Sequence, residues 1–455
     1  MDGRLNRPTN TFTGVTMGGE SVAVAAPSFE EAVGARTAKI GIIGLGYAGL
    51  PLATGFAGAG FEVLGIDLDP DRVASVNAGR SYLTDLSDSE LAALDGRVSA
   101  ATTYDRVGEA AAFIICVPTP LSKTRTPDLS HVVAAVESVA RRLVPGQLVI
   151  LQSTTVPGTT DELVVSTLER ATGGTVGRDF YVGYAPERVD PANTAGWNLH
   201  TTPKLVSGVT EECVRRTALL FDQVCETVIP CGSTRVAELA KLYENTFRQV
   251  NIALANELAL MCQRLGVSAW EVIDAAATKP FGFLAHYPGP GLGGDCIPVV
   301  PHFLSYRLRE CGYQTRMIDA AHEINTAMPE FVVGLVTRAL NDRGMAVRDA
   351  RILLCGVAYK PNVSDLRESP ALVIFEQLQR RGAQIAYSDP HIASVTVGDY
   401  VYGSTPWEAA IVRSADVVVM LTPHDEFLAA PHWESATTVV DTRNVVASGE
   451  GVYRL

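Results

Sequence analysis

The sequence predicts an α/β protein in which two Rossmann-like parallel-sheet domains are joined by a long-helix central domain. Three observations predict it. Short apolar runs at 38–43, 61–66, 112–117, 147–152 and 181–184 alternate with helical or turn-rich stretches, the pattern of βα units and a parallel sheet. From about Thr234 to Leu265 the apolar residues switch to helical spacing, and beyond Arg351 the strand-like runs return. The 455 residues leave room for about three domains of ordinary size.

In chain order the expected boundaries are a disordered leader at 1–36, a first α/β domain at 37–230, a helical domain at 231–343 and a second α/β domain at 344–455. The leader is rich in Gly, Thr, Ser and Ala without periodicity. A 47% hydrophobic and 19% charged composition is that of a soluble globular chain. Its net charge of −13 argues against nucleic acid and anionic membranes as partners, since both require a basic surface. The eight cysteines stand singly, without Cys-x-x-Cys or clustered His. That usage points to a reducing compartment and to no metal site. With no apolar core after the first basic residues, no signal peptide is expected, and the cytoplasm is the expected location.

The uncharged run Ile40–Phe61 is long enough to cross a bilayer, but it holds seven glycines and Pro51. A dinucleotide fingerprint explains it better. Strand 38–43 runs into Gly44-Leu-Gly46-Tyr-Ala-Gly49, a helix follows, and the next strand ends in Asp67. Gly44 allows the tight turn, Gly46 lets a pyrophosphate reach the backbone, and Gly49 lets helix and strand pack closely. Asp67 would accept from ribose hydroxyls and repel a 2′-phosphate, so NAD is expected rather than NADP.

Further strands end in Pro118-Thr119, in Ser153-Thr154-Thr155 and in Glu187-Arg188. Ligands of parallel sheets sit at the carboxyl ends of strands, so hydroxyls and charges there suit a cofactor ribose or a reacting alcohol. Cys116, inside a strand, reads as core. On the long helix Val236, Leu239, Tyr243, Phe247, Val250, Leu254 and Leu258 make an apolar stripe. Lys241, Asn245 and Arg248 make a polar one at i, i+4 and i+7. A solvated face is the ordinary fate of such a polar stripe, but Asn is a poor choice for an exposed helix surface. The helix could also carry contacts to a second copy.

It leads to His286-Tyr-Pro-Gly-Pro-Gly-Leu-Gly-Gly-Asp-Cys296, a loop by its glycine and proline density. A thiol delivered by such a loop suits covalent catalysis. The second α/β domain lacks GxGxxG but places Lys360, Arg367 and Arg443 near strand or loop ends, where guanidinium forks suit phosphate.

These residues resemble the UDP-glucose/UDP-N-acetylhexosamine 6-dehydrogenases, nucleotide-sugar dehydrogenases that oxidise a C6 alcohol to a carboxylate with two NAD. The resemblance runs from about Lys39 to Asn444. It rests on Gly44-Leu-Gly-Tyr-Ala-Gly-Leu-Pro-Leu-Ala53, Val117-Pro-Thr-Pro120, Ser153-Thr-Thr-Val-Pro-Gly-Thr-Thr160 and Pro186-Glu-Arg188. It rests also on Lys241-x3-Asn245, Gly291-x-Gly-Gly-x-Cys296, Ala358-Tyr-Lys360 and Asp365-x-Arg367-Glu-Ser-Pro370. Tyr184-Ala-Pro-Glu-Arg188 and Glu244-Asn-Thr-x3-Val-Asn-Ile-Ala253 look like the branch acting on UDP-N-acetylhexosamines. The run 276–283 before the glycine-rich loop looks more like the UDP-GlcNAc 6-dehydrogenases than the UDP-ManNAc ones.

The resemblance implies roles residue by residue. Thr119 and Glu187 would position water or the alcohol proton, Lys241 and Asn245 would stabilise an oxyanion, and Cys296 would capture the aldehyde. The cofactor site would draw on Gly44, Gly46, Tyr47, Ala48, Asp67, Arg72, Pro118, Thr119, Ser153 and Thr154, with Arg367 reaching back to the NAD. The UDP-sugar would meet Glu187, Arg188, Lys241, Asn245, Arg248, Tyr287, Gly291, Gly293, Lys360 and Arg443. A homodimer or larger homo-oligomer is implied.

Two positions depart from the family pattern. Asp295 stands where the branch usually has His, and Val300 stands where the family usually has an Asp that pairs with the lysine. The expectation is that Asp295 partly substitutes for the missing carboxylate. Three rival readings remain open: the same chemistry on UDP-glucose, a β-hydroxyacid-type dehydrogenase, which gives Cys296 no role, and a UDP-sugar-binding protein with impaired turnover.

Overall fold

The computed structural model describes residues 27–83, 86–122, 124–189 and 196–455. Of the expected disordered leader, residues 1–26 lie outside the described residues, and the rest corrects the expectation. Ser28 and Glu31 form a reciprocal capping box that starts helix α1 (Phe29–Gly34). Phe29 and Val33 are buried in the first domain's core, so this segment belongs to the fold.

Strand β1 (Lys39–Ile43) is apolar because it is buried on both faces, as a central parallel strand must be. Gly44 follows at φ 87°, where a Cβ would lie 2.8 Å from the Cys116 carbonyl oxygen. Only glycine makes that turn. Helix α2 (Gly49–Gly58) then packs back on the sheet. Strands β2 (Glu62–Ile66), β3 (Val98–Ala101), β4 (Ala112–Ile115), β5 (Leu148–Leu151), β6 (Tyr181–Tyr184), β7 (Lys204–Gly208) and β8 (Val228–Pro230) complete the sheet. Its order is β3-β2-β1-β4-β5-β6-β7-β8, parallel except for β6 against β7. The reversal between β1 and β4 makes the crevice in which such sheets bind ligands. Helix α3 (Glu211–Phe221) covers one face and holds α1, with the Arg216 guanidinium 5.1 Å from the Phe29 ring and 3.6 Å from the Tyr181 ring.

The central domain is built on α4 (Thr234–Leu265), whose 32 residues run from a Ser233 cap to Gly266 at φ 70°. Helix α5 (Ala269–Ala277), the glycine-rich loop, α6 (Val300–Glu310) and α7 (Arg316–Asn341) follow. Helices α6 and α7 both pack on α4.

The second sheet, ordered β10-β9-β13-β14-β15, is wholly parallel. Its strands are β9 (Arg351–Cys355), β10 (Gln384–Ser388), β13 (Val417–Met420), β14 (Val439–Asp441) and β15 (Val452–Arg454). The hairpin β11 (Ser394–Val397) with β12 (Tyr400–Gly403) sits beside it. Helix α8 (Pro370–Arg380) starts at Ser369 with Pro370 in its first turn. Among the described residues no helix is long and apolar enough to cross a membrane.

Candidate active site

The carboxyl ends of β1 and β2 fit a dinucleotide. The Cβ that Gly46 lacks would meet nothing within 4 Å, so no neighbouring protein atom demands this glycine. A phosphate approaching the backbone would. Helix α2, preceded by Ala48, has neither a side-chain cap nor an acid in its first turn, which leaves its N–H groups to an anion. The Asp67 carboxylate is oriented by the N–H of Leu45 at 2.7 Å and of Asp69 at 2.9 Å, and 10% of its side chain stays exposed. Arg72 approaches it at 3.5 Å. Tyr47 is exposed, with the Arg367 guanidinium 5.0 Å from its ring. The second α/β domain thereby reaches the Gly44–Gly49 turn of the first.

Pro118 is exposed and Thr119 half-buried where the chain leaves β4. Thr119 Oγ1 donates to the Thr154 carbonyl at 2.7 Å, and Ser153 Oγ donates to the Val117 carbonyl at 2.7 Å. The two strand ends are laced together, and each hydroxyl, its proton spent, has only acceptor lone pairs left.

Glu187 is more tightly held than its position at a strand end suggests. Its Oε1 accepts from the N–H of Arg188 and of Val189, each at 2.8 Å. Its Oε2 accepts from Gln152 at 3.1 Å and from the Lys204 ammonium at 3.3 Å. Burial pushes this carboxyl up, but Lys204, the two N–H groups and Lys241 together hold it below the usual carboxylate range. Glu187 is a fixed negative charge. Lys204 and Gln152, both buried, are residues the sequence reading missed. Arg188 is engaged elsewhere: it binds Glu244 at 2.8 Å and the Pro203 carbonyl at 2.7 Å, tying the first domain to α4.

Helix α4 reverses the ordinary expectation for an amphipathic helix. Val236, Leu239, Tyr243, Phe247 and Leu254 of its apolar stripe are exposed, whereas Glu238, Lys241, Asn245, Gln249 and Asn256 are buried. Arg248 is exposed, so it does not join Lys241 and Asn245 in this chain's own site. Glu238 accepts from Gly158 N–H at 2.6 Å and from Thr160 N–H and hydroxyl at 2.9 and 2.7 Å, anchoring α4 to the turn after β5. Neither Glu238 nor Gln249 was singled out from the sequence. The available signal was their place on the helical face of Lys241 and Asn245.

The glycine-rich loop packs against the second α/β domain. A Cβ on Gly289 would lie 2.6 Å from Arg443 Nη1, one on Gly291 would lie 3.0 Å from Pro370, and one on Gly293 would lie 2.5 Å from the Tyr359 side chain. The glycines expected to admit a ligand therefore also admit the neighbouring domain. Tyr287 stacks on Trp270 at 5.0 Å and donates to Asp274 at 2.7 Å, which pins the start of the loop to α5. Cys296 is exposed at its end. Arg443, half-buried, donates through Nε to the Leu421 carbonyl at 2.8 Å, and burial lowers its pKa to about 10 against the pull of Asp441. A desolvated guanidinium of this kind is suited to a diphosphate. Lys360 lies half-buried beyond β9 on the same side of that sheet.

The two departures are also placed. Asp295 forms an ion pair with Arg367, which Asp365 grips as well. The carboxylate is spent on the latch to the second domain, which corrects the expectation that it serves Lys241. Val300 packs with Val156, Leu242 and Phe303, an apolar seat for α6 beside the lysine.

Three family models match the chain in succession. The NAD-binding domain of the UDP-glucose/GDP-mannose dehydrogenase family covers 38–225, its central domain 235–327 and its UDP-binding domain 353–448. The chain belongs to this family. It is an NAD-dependent nucleotide-sugar dehydrogenase. UDP-N-acetyl-D-mannosamine dehydrogenase of Pyrococcus horikoshii is 35% identical over 418 residues, 90% of this chain and 96% of its own. UDP-N-acetyl-D-glucosamine 6-dehydrogenase of Pseudomonas aeruginosa is 34% identical over 394 residues, 86% of this chain and 91% of its own. The solved structure of the Pyrococcus UDP-D-ManNAc dehydrogenase superposes with a TM-score of 0.84 at 34% identity, over 91% of this dehydrogenase and 98% of that chain.

Proposed function

We propose that this dehydrogenase carries out the four-electron oxidation of the C6 alcohol of a UDP-N-acetylhexosamine to the uronic acid, with UDP-GlcNAc as the first substrate to test. The observation that carries the reading is the buried pair Lys241 and Asn245 on α4, a helix that packs on β6 and β7 of the first sheet and on α6, which follows the Cys296 loop. Relatives named for mannosamine and for glucosamine align almost equally well, so the epimer rests on the motif at 276–283.

NAD, which the Gly44–Gly49 turn and Asp67 would hold, would supply the hydride acceptor for each of two oxidations at C6. The chain's residues do the rest. Lys241 and Asn245 donate toward the oxygen on C6 as it gains negative charge, in a site too buried for water to compete. The Cys296 thiolate adds to the aldehyde carbon and forms a thiohemiacetal, which keeps a reactive aldehyde from leaving. Loss of a second hydride leaves a thioester, which water cleaves to the acid and the free thiol. Glu187 and Thr119 present acceptors that orient that water. Arg443 and Lys360 hold the diphosphate, and Arg367 steadies the cofactor across Tyr47.

We further read the enzyme as a cytoplasmic homodimer. Eight free cysteines suit a reducing compartment. The exposed apolar stripe of α4 lies in the same domain as an apolar groove lined by Leu260, Met328, Phe331 and Leu335, and exposed apolar surface of this kind suits a contact with a second copy. A monomeric mass by light scattering at micromolar concentration would end the dimer reading.

The decisive experiment is the stoichiometry of NADH formed per UDP-GlcNAc consumed, with UDP-ManNAc and UDP-glucose in parallel. Two per sugar, with Cys296→Ser failing to complete turnover, is expected. One per sugar would remove the thioester half of the scheme, and none with any of the three sugars would overturn the reading.

A further inference from the structure

Leu45, between the first two glycines of the fingerprint, has both of its backbone groups taken. Its N–H donates to Asp67 Oδ2 at 2.7 Å, and its carbonyl accepts from the Tyr82 hydroxyl. Its side chain is wholly buried beneath Gly65, where a Cβ would lie 2.7 Å from Leu45 Cδ1. Held at three points, the residue fixes the peptide planes on either side of it. The peptide joining Leu45 to Gly46 is trans, and in a trans peptide the N–H points away from the carbonyl oxygen. With the Leu45 carbonyl drawn to Tyr82, the Gly46 N–H is aimed the opposite way. Among the described residues no protein acceptor meets it, nor the N–H of Tyr47 or Ala48. These amides lead into the N-terminus of α2, the place where such a turn takes a pyrophosphate.

Tyr82 is itself firmly held. Ser81 N–H donates to Asp88 at 2.6 Å, Leu83 N–H donates to Ser81 Oγ at 3.0 Å, and Leu83 is buried in the first domain's core. The Tyr82 ring is half-buried, with the Arg72 guanidinium 5.7 Å from its centroid. Arg72 in turn approaches Asp67 and Asp69, each at 3.5 Å. Burial, and after it the Asp67 carboxylate, pushes the phenol well above its ordinary pKa, so the hydroxyl keeps its proton and donates. A half-buried tyrosine ordinarily finds some acceptor for its hydroxyl. This one has found it on the turn that binds the cofactor, 37 positions earlier in the chain and outside the reach of the fingerprint.

We propose that Tyr82 is a positioning residue for NAD: through the Leu45 carbonyl, its hydroxyl sets the Gly46 N–H toward the cofactor's pyrophosphate. Tyr82 touches neither the reacting atoms nor the sugar, and it serves the NAD-binding domain in the same way whichever sugar is oxidised.

The test is calorimetric titration of NAD, ADP-ribose and UDP into the full-length enzyme, Tyr82→Phe and Tyr82→Leu. Tyr82→Phe keeps the ring beside Arg72 and removes only the hydroxyl. Expected is a loss of about 3- to 10-fold in affinity for NAD and for ADP-ribose, which carry the same pyrophosphate, with UDP unchanged. In turnover the KM for NAD should rise by that factor while kcat at saturating NAD holds, because a contact far from the reacting carbon is made equally in the ground and transition states. Unchanged NAD affinity in Tyr82→Phe would overturn the assignment even if Tm fell, since the bond would then only brace the fold. An equal fall for NAD and UDP would overturn it as general loosening. A loss confined to Tyr82→Leu would overturn it in favour of the ring as a seat for Arg72. Should Tyr82→Phe not fold, Tyr82→Met, which keeps apolar bulk without the hydroxyl, is read in the same way.

Discussion

In the first sheet β1 runs into Gly44 at φ 87° and the neighbouring β2 ends in Asp67. In the second, β9 runs into Gly356 at φ 80° and the neighbouring β10 ends in Asp389. Chain path and acid correspond, yet their surroundings differ. Asp67 keeps an exposed edge. Asp389 is wholly buried: its Oδ2 accepts from Val357 N–H at 2.7 Å, Ala358 N–H at 3.1 Å and His424 Nε2 at 3.1 Å, and its Oδ1 accepts from the N–H groups of His391 and Ile392. His424 Nδ1 accepts from Asn362 N–H at 3.0 Å, so its proton lies on Nε2, toward Asp389. The place that a ribose would take beside the first acid is filled beside the second by an imidazole. One topology therefore supports two settings for the same carboxylate, one with an open edge that a ligand could reach and one closed as an internal strut. On the function proposed above, the second domain leaves ligand recognition to cations from other strand ends.

This contrast can be broken most forcefully at Asp389. Asp389→Ala strips five donors of their acceptor in a site closed to water. We expect a loss of about 3–5 kcal/mol of stability in chemical denaturation, with NAD binding retained by the first domain. A variant as stable as the wild type would show that the strut carries no weight.

A paired substitution separates the two ligand ends. Asp67→Ala should weaken NAD by roughly 10- to 100-fold and leave UDP untouched, while Arg443→Met should do the reverse, each costing about 1–3 kcal/mol of binding. Calorimetric titration of each ligand into each variant checks this, and cross-talk between the two would mean that the domains do not divide the substrates.

The smallest effect expected is on pH. Burial raises the Asp389 carboxyl, but His424 and the N–H groups of Val357 and Ala358 outweigh it and hold the carboxyl below its ordinary value. A folded pKa below the unfolded one, about 3.9, stabilises the fold above that pH and loses this contribution as pH falls through the folded value. Trp407 and Trp433 belong to this domain's core, so tryptophan fluorescence should report loosening below about pH 4. In Asp389→Asn that acid dependence should be shallower.

Much of the protein was legible in its residues. The fingerprint at Gly44–Gly49, the span of α4, the more apolar strands of both sheets and the Cys296 loop follow from local rules: positive φ at a turn, apolar period, and caps at Ser233 and Ser369, whereas β3, β7, β8 and β15 were not read from the sequence. Local rules misjudged α1, because a single capped turn becomes helix only when Phe29 and Val33 have a core to enter.

By itself the sequence determined the dinucleotide fingerprint, whose residues are near one another in the chain, and the family, whose motifs are each local and stand in one order. Only the tertiary structure decided which face of α4 is inside, that Asp295 latches Arg367, and that Asp389 is closed while Asp67 is open. Periodicity shows that a helix has two faces. Which of them is buried depends on the elements packed around it, and here these are β6 and β7 of the first sheet together with α6 and α7.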